Sequence, residues 1–479
     1  MINLANMDFV VPGVFVDESD VGPRPIKELS LAAIGIVGTF DRGPVNEPVT
    51  IGDEIQLIKK FGNHRKGLTG ILSTISAMRQ GANDFRIVRI AGAGCAEAKV
   101  TFSNGAGTPV DVLEIAANSP GAWGNNIKIS VKKNASDFDL TIKCDEAVEV
   151  FSGLKASAVK EKVMSEFVTV KVTDEALTGD LLPKATTVDT SLVGGNDGAA
   201  VTDDDYIGAI DANTGARTGL KTLEPLQIGI VVCAQQYSER IHKALQTFAE
   251  NCDLEEGLRI GVLNSAPKLS ADKAAEQTKS LQTDRGTFAY PWITSVDYPD
   301  EWIAPDGFLA GVISTVAPHE SPSNKEVQGI LKLERDYSYA EVKLLTQARI
   351  CPITLKPNRG FRVRNGLTLA SNEAWAQIAI RRQQDRMNME LYFGMEWAIS
   401  LPHEPKLWNL VAECADLYFQ KQKNLGRILG FLPTLCNAQT NPPENIISRI
   451  LTMILRWKPL YPADFIVQRW KRELPTVDE

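Results

Sequence analysis

Apolar positions fall first into short uninterrupted runs and later into longer stretches with three-to-four spacing. Leu31–Phe40 is an apolar run that predicts a buried strand, closed by Asp41-Arg42-Gly43-Pro44. Val49-Thr50-Ile51 precedes Asp53, whose side chain suits the N-cap of a helix running to about Phe61. Gly70–Gly81 predicts a second helix and Asp84–Ile90 a further strand, so the opening portion reads as compact α/β. Ahead of it, residues 9–17 are rich in β-branched and aromatic side chains and read as an extended arm. Pro12 removes a backbone donor there, which suits an edge strand.

From about Lys99 the texture changes. Val110–Ala117, Asn126–Lys132, Asp139–Cys144 and Phe167–Val172 are strand-like and separated by Gly, Asn and Asp turns, with one helix expected at 155–165. This predicts a β-rich insert, ending in the acidic turns from Val193 to Tyr206. Next, Ile228–Cys233, Tyr237–Asn251, Leu258–Leu263 and Ala271–Asp284 alternate strand and helix, which favours parallel βαβ units. Trp302–Ala317 is expected to be helical. The last portion starts at Lys325–Lys332, with a helix from about Ser338 to Ala348 and a strand pair at Ile353–Leu355 and Phe361–Arg364. Long helices are expected from Asn372 to about Ser400 and from Pro405 to Leu425, followed by strand-like Glu444–Trp457 and Phe465–Trp470. On the first of these helices Ala376, Ile380, Met387, Leu391, Met395 and Ala398 share a stripe. Arg381, Arg382 and Arg386 project from its sides and back, as a solvated face or as a polar contact with an acidic partner.

At 479 residues the chain is too long for one ordinary core, and two to four domains are expected. A formal charge of −8 argues against the whole chain being a nucleic-acid binder, because phosphate neutralisation needs a basic footprint. No run of about 18 apolar residues exists, so no membrane-inserted helix is expected. The seven cysteines never form C-x-x-C and read as reduced, packed thiols, or alternatively as cross-links between neighbouring subunits.

Chemistry finds little support in the motifs. No phosphate-binding G-x-x-x-x-G-K-[ST] occurs, and Ala91-Gly-Ala-Gly-Cys95 lacks the third glycine of a dinucleotide loop. Counted as a calcium loop from Asp203, position 5 is Ile207, with no side-chain oxygen, and position 12 is Thr214 in place of the bidentate glutamate, so the loop fails. The four histidines (His64, His242, His319 and His403) lie far from one another and from cysteine, and neither H-E-x-x-H nor G-x-S-x-G is present. No catalytic residue, cofactor or metal is therefore expected.

Several phrases resemble the contractile tail sheath family. They begin with Val11-Pro-Gly-Val-Phe-Val-Asp-Glu-Ser19 and Gly22-Pro-Arg-Pro-Ile26, then Ile34 to Val49. Leu113-Glu-Ile-Ala-Ala-Asn-Ser-Pro-Gly-Ala-Trp-Gly-Asn-Asn-Ile127 follows, with Val193-Gly-Gly-Asn-Asp-Gly198 and Asp205-Tyr-Ile-Gly208. Leu367-Thr-Leu-Ala-Ser371 and Tyr461-Pro-Ala-Asp-Phe-Ile-Val467 complete the series, which spans nearly the whole chain in order. The chain departs from the family at Arg364-Asn-Gly-Leu367, where a Trp-Gly-x-Arg phrase is frequent, and at 421–440, which is not rich in glycine and alanine.

The resemblance implies an α/β and α+β multidomain fold: a subtilisin-like middle domain, a β-sandwich-like insert, a C-terminal α/β domain and extended terminal arms. The expected division is a linking arm at 1–22, the start of an inner α/β domain at 23–98 and an outward β-rich insert at 99–200. A subtilisin-like domain at 201–350, a C-terminal sheath domain at 351–460 and a second arm at 461–479 complete it. H-G-T-H and G-T-S-M contexts are absent, so the subtilisin likeness carries no protease site. The function implied is structural. Subunits stack as a homo-oligomer around an inner tail tube, contact baseplate and tail terminator proteins, and contract to drive the tube through a target envelope. A bacteriocin-like or extracellular injection particle is the alternative to a phage tail, with a subtilisin-like hydrolase or a monomeric binding module as the remote one. The location implied is the virion tail, with assembly in the host cytoplasm, and neither direct nucleic-acid contact nor membrane insertion is expected. The linking arms would use Phe9, Val10, Val11, Val14, Phe15 and Val16 at one end and Phe465, Ile466, Val467 and Trp470 at the other. Arg381, Arg382 and Arg386 are the candidate tube contacts.

Overall fold

The computed structural model describes residues 26–179 and 181–472. The expected arm carrying Phe9 to Val16 lies outside the described residues. The chain divides into two compact units. The larger comprises Leu31–Ala317 with Ser321–Arg381, and the smaller takes in described residues 26–30, 318–320 and 382–472.

The larger unit opens with β1 (Ile34–Gly38), β2 (Pro48–Ile51), α1 (Glu54–Phe61), α2 (Gly70–Met78) and β3 (Phe85–Arg89). All five residues of β1 are buried, as befits a central strand covered on both faces. Asp53 caps α1 by accepting the Gln56 N–H at 2.8 Å. The β-rich portion follows as β4 (Lys99–Ser103), β5 (Asp111–Ala117), β6 (Lys128–Lys133), β7 (Phe138–Cys144), β8 (Ala147–Leu154), α3 (Val159–Lys162), β9 (Val168–Val172), α4 (Asp174–Gly179) and β10 (Thr190–Ser191). The order β4-β5-β9 makes one antiparallel sheet and β10-β6-β7-β8 another. One apolar core containing Leu113, Ile115, Trp123, Ile129, Phe138 and Ile142 unites them. The helix expected at 155–165 is reduced to a 3₁₀ turn and the one-turn α3. Within α3 only Val159 is buried, too small an apolar face to sustain a longer helix.

The chain then returns to the first sheet through α5 (Asp203–Ile207), β11 (Ile230–Cys233), α6 (Glu239–Glu250), β12 (Ile260–Asn264), α7 (Ala271–Gln277) and β13 (Gly286–Tyr290). After β14 (Ile293–Ser295), α8 (Asp306–Thr315), β15 (Ile330–Leu333) and α9 (Tyr339–Gln347), it closes with β16 (Ile350–Lys356) and β17 (Gly360–Val363). Eight strands align as β17-β16-β13-β12-β11-β1-β3-β2. The inner six run parallel, while β2 and β17 are antiparallel at the two edges. The acidic run at 203–205 opens α5 with a capping box between Thr202 and Asp205. Strand β13 was missed by the sequence pattern because the preceding helix ends at Gln277, well before Asp284. The helix expected from Trp302 begins only at Asp306: Pro305 sets its start, and Ile303 bridges to Ile293.

Two small-residue contacts bring α8 onto α2. A Cβ on Gly307 would lie 2.0 Å from the Ser73 carbonyl oxygen, and one on Gly311 would lie 2.7 Å from that of Ala77. The four-residue spacing matches on both helices, so glycine lets the backbones touch along one turn.

In the smaller unit, α10 (Ile378–Met395, from Arg382 onward) packs against α11 (Pro405–Asn424), β18 (Gly430–Leu435) and β19 (Ile454–Lys458), with α12 (Pro443–Ile447) lying between the two strands in the chain. Its core joins Met387, Leu391, Ala415, Tyr418, Phe419 and Ile428 with Ile26, Phe431 and Trp457. The helix expected at Asn372–Ser400 is split, with 3₁₀ turns at Glu373–Trp375 and Glu396–Ala398 flanking α10. The strand expected at Glu444–Trp457 opens as helix and becomes strand only from Ile454, because Pro442-Pro443 starts α12 where a missing N–H is harmless. Phe465–Trp470 has no regular secondary structure.

Candidate functional site

Strands β18 and β19 form a two-stranded antiparallel sheet with Gly430 opposite Lys458 and Phe431 opposite Trp457. Its inner face is fixed by Phe431 stacked on Phe419 at 5.6 Å and by the Trp457 indole donating to Gln384 Oε1 at 2.6 Å. Leu432 and Ile454 are exposed. With only two strands among the described residues, each strand keeps one edge without a strand partner, the arrangement that templates further pairing. Beyond β19 the tail carries Phe465, Ile466, Val467 and Trp470 at 90%, 84%, 78% and 89% exposure. Burying such side chains stabilises by about 1.5–3 kcal/mol each, so the tail has most of its favourable contacts still to make.

The first described residues, 26–29, are clamped to α10 and α11. Ile26 covers Gly394, where a Cβ would approach it to 2.7 Å. Glu28 accepts from Arg386 Nη2 at 2.9 Å, Lys421 Nζ at 3.0 Å and Arg427 Nη1 at 3.0 Å. The Lys421 hydrogen bond, followed by those two arginines, holds the Glu28 carboxyl down at about 2. The Leu29 N–H donates to Glu390 Oε1 at 2.9 Å, and that oxygen also accepts Arg386 Nε at 2.8 Å. The Tyr418 hydroxyl donates to Glu390 Oε2 at 2.5 Å, and burial followed by the Glu390 charge pushes its pKa above the ordinary tyrosine range.

The three arginines of the long helix are thus buried rather than projecting to solvent. Arg381 donates to Asp284 Oδ2 at 2.9 Å and lies over the Trp375 ring at 4.5 Å. Arg386 is held by Glu390 and Glu28. Arg382 is 2% exposed, and burial pulls its pKa down to about 10 against the countering charge of Asp385. The pattern missed this because a stripe of aliphatic residues does not reveal that polar flanks are enclosed too. The only signal was the pairing of opposite charges, Arg386 with Glu390 four residues on.

Other reactive groups are absorbed by packing. Asp306 is fully buried and accepts from Ser73 Oγ at 2.8 Å, Gly307 N at 2.5 Å, Gln235 N at 2.7 Å and Asn264 Nδ2 at 2.8 Å. Burial raises its pKa, partly offset by these donors. His64 pairs with Glu301 at 2.9 Å, His403 accepts from the Trp408 indole at 3.2 Å, and His242 is buried edge-on to Phe288. Desolvation pushes His242 down to about 4 and lowers His319 as well. Cys144, Cys233, Cys351, Cys414 and Cys436 are buried, while Cys95 and Cys252 are half-buried.

A cavity of about 370 Å³ opens beyond the ends of β1 and β3, lined by Thr39, Thr69, Arg89, Asp203, Tyr206 and Gln236 among others. Four of the five Arg89 N–H groups donate to the carbonyls of Phe40, Asp41, Gly43 and Pro120. Arg89 therefore ties the strand ends to the β-rich portion. Among the described residues, no cluster of His, Cys, Asp and Glu could hold a metal ion, and no helix is long and apolar enough to cross a membrane.

Residues 199–369 match the family model for the phage tail sheath protein central domain. The tail sheath protein of Burkholderia phage BcepMu is 22% identical over 466 residues, covering 91% of each chain. Among solved structures, a sheath tail protein from Desulfitobacterium hafniense is 16% identical, with 89% of this chain and 94% of that one covered at a TM-score of 0.63. One from Listeria innocua is 17% identical, with coverage of 86% and 90% and a TM-score of 0.65. The contracted sheath of an extracellular contractile injection system is 13% identical, with coverage of 98% and 99% and a TM-score of 0.58.

Proposed function

We propose, from the premise that this chain belongs to the contractile tail sheath family, that it is the repeating subunit of a sheath around an inner tube. The sheath drives that tube through a target envelope by shortening from a metastable extended packing. The observation that carries this reading is the open β18–β19 sheet followed by an exposed apolar tail. Each is unsatisfied in a lone chain, and each is what the other needs if a neighbour supplies it.

In this reading Phe9, Val10, Val11, Val14, Phe15 and Val16 from one neighbour, and Phe465, Ile466, Val467 and Trp470 from another, add strands to the β18–β19 sheet. Each backbone hydrogen bond contributes about 0.5–1.5 kcal/mol net, so one arm gives a few kcal/mol and the lattice multiplies it. The Glu28 clamp then transmits pull on the N-terminal arm to α10 and α11. Arg381, Arg382 and Arg386 act from within: their burial supports a role in fixing the long helix instead of meeting the tube. The tube, baseplate and terminator contacts belong to other surfaces. The β-rich portion at 99–200 is read as a β-sandwich-like insert facing outward, a reading its shared core between two sheets supports. The parallel sheet is read as a subtilisin-like middle domain in which Asp306 serves packing and no hydrolysis occurs.

Removal of residues 459–479 tests the reading. The shortened chain stays folded by circular dichroism yet sediments as a monomer at concentrations where the full chain forms large particles. Equal polymerisation of both would overturn the strand-exchange reading.

A further inference from the structure

The larger unit carries opposite charges at opposite ends of its parallel sheet. At one end the β16–β17 hairpin turns through Pro357, Asn358 and Arg359, with Asn358 and Gly360 in the left-handed region that a tight turn requires. Lys356, Arg359, Arg362 and Arg364 lie within nine residues with no acid among them. Lys356 Nζ donates to Asn324 Oδ1 at 2.8 Å, Arg362 Nη1 to Asn324 O at 2.8 Å, and Arg364 Nη1 to Thr354 Oγ1 at 3.0 Å. Glu326, 3.3 Å from Arg362, is the carboxylate paired with the group. Lys356 is pulled below the ordinary lysine range, first by burial and then by Arg364, Arg359 and Arg362. Cations thus crowd one another on the terminal strand of the sheet, a cost that an outside anion would relieve.

At the other end, α6 ends at Glu250 and the loop before β12 adds Asp253, Glu255 and Glu256, four acids within seven residues and no base. Arg259 lies behind it, nearly fully buried, donating to the carbonyls of Gly257, Leu223, Glu224 and Glu256. Glu250, Asp253 and Glu255 are exposed. β12 and β16 run the same way through β13. The loop therefore sits at the start of the strands, whereas the basic hairpin leaves at their end.

We infer that the basic hairpin of one copy docks on the Glu250–Glu256 loop of the next copy, a head-to-tail contact between larger units. It rests on the sheath reading and goes beyond strand exchange. The two surfaces are different patches of one chain, so the contact does not close on itself as a two-fold dimer would. Repeated, it generates a ring or an open helix. Opposite charge on the two patches is what selects this contact, since like-charged juxtapositions are disfavoured.

Charge reversal tests the contact on the full-length chain. K356E/R359E and E250K/E255K are each checked for folding by circular dichroism, then assayed by light scattering and negative-stain microscopy at low and high salt. Each alone needs at least about ten-fold more protein to polymerise than the wild type, as a cost above 1.4 kcal/mol per contact requires. An equimolar mixture of the two polymerises near the wild-type concentration, because alternating copies restore opposite charges at every contact. Folded single variants that polymerise like the wild type, or a mixture no better than its components, would overturn the inference and leave the sheath reading standing. A wild-type chain that never polymerises would overturn both.

Discussion

Arg386 reaches Glu28 across 358 residues of chain, its Nη2 donating to Glu28 Oε2 at 2.9 Å. The same guanidinium holds Glu390 through Nε at 2.8 Å, so one side chain couples the segment Ile26–Leu29 to the buried centre of α10. In the proposed sheath, an N-terminal arm that bears load needs such an anchor, since a free chain end transmits no force to the fold.

The anchor is acid-sensitive with a definite sign. Glu28 has its pKa lowered to about 2, foremost by Lys421, so its contribution is complete above the ordinary carboxylate value of 4.5 and is lost as pH falls towards 2. With the carboxylate 38% exposed, screening limits the contribution to about 1–2 kcal/mol. Glu28→Gln should remove it at neutral pH. Trypsin would then cut after Lys27 faster in the variant than in the wild type, and equal cleavage rates would contradict the anchor.

Gly307→Ala is expected to destabilise the larger unit by about 1–3 kcal/mol, because the new methyl meets the Ser73 carbonyl and not a yielding side chain. At an exposed helical site the same change would add up to about 1 kcal/mol. Urea unfolding decides between the two signs.

Asp306→Ala leaves Ser73, Gln235 and Asn264 without their common acceptor. Each buried donor so orphaned costs about 1–3 kcal/mol, and the midpoint of chemical denaturation should fall accordingly. If Asp306 served a hydrolytic site instead, the variant would lose activity while keeping its stability.

His242, pushed by burial to about 4, folds best when neutral. Its contribution is intact above the ordinary value of 6.5 and disappears as pH falls from there to about 4, on the order of 3 kcal/mol in total. His242→Phe should flatten the dependence of melting temperature on pH across that window.

Much of the larger unit was legible because its strands are continuous apolar runs and its helices carry strong caps. Asp53 and Ser338 with Glu341 each mark a start that the fold uses, whereas the Thr202–Asp205 capping box opens α5 in a stretch that reads as acidic turns. Strands β8 and β18 were missed for an identifiable reason: apolar Val148, Val150 and Leu432 lie on the exposed side, so hydrophobicity does not track burial there. The arm root was invisible as well. Nothing local in Ile26-Lys27-Glu28-Leu29 announces that its partners are Gly394, Lys421, Arg427 and Glu390, because long-range pairing leaves no periodicity. For the same reason Arg381, Arg382 and Arg386 read as a surface, although they are internal to the fold.

Negative-stain electron microscopy of the purified full-length chain, beside a chain lacking residues 1–25, is the most direct measurement. Long hollow cylinders from the full chain and none from the shortened one are the result a strand-linked sheath predicts. Monodisperse particles of single-chain size from both would contradict it.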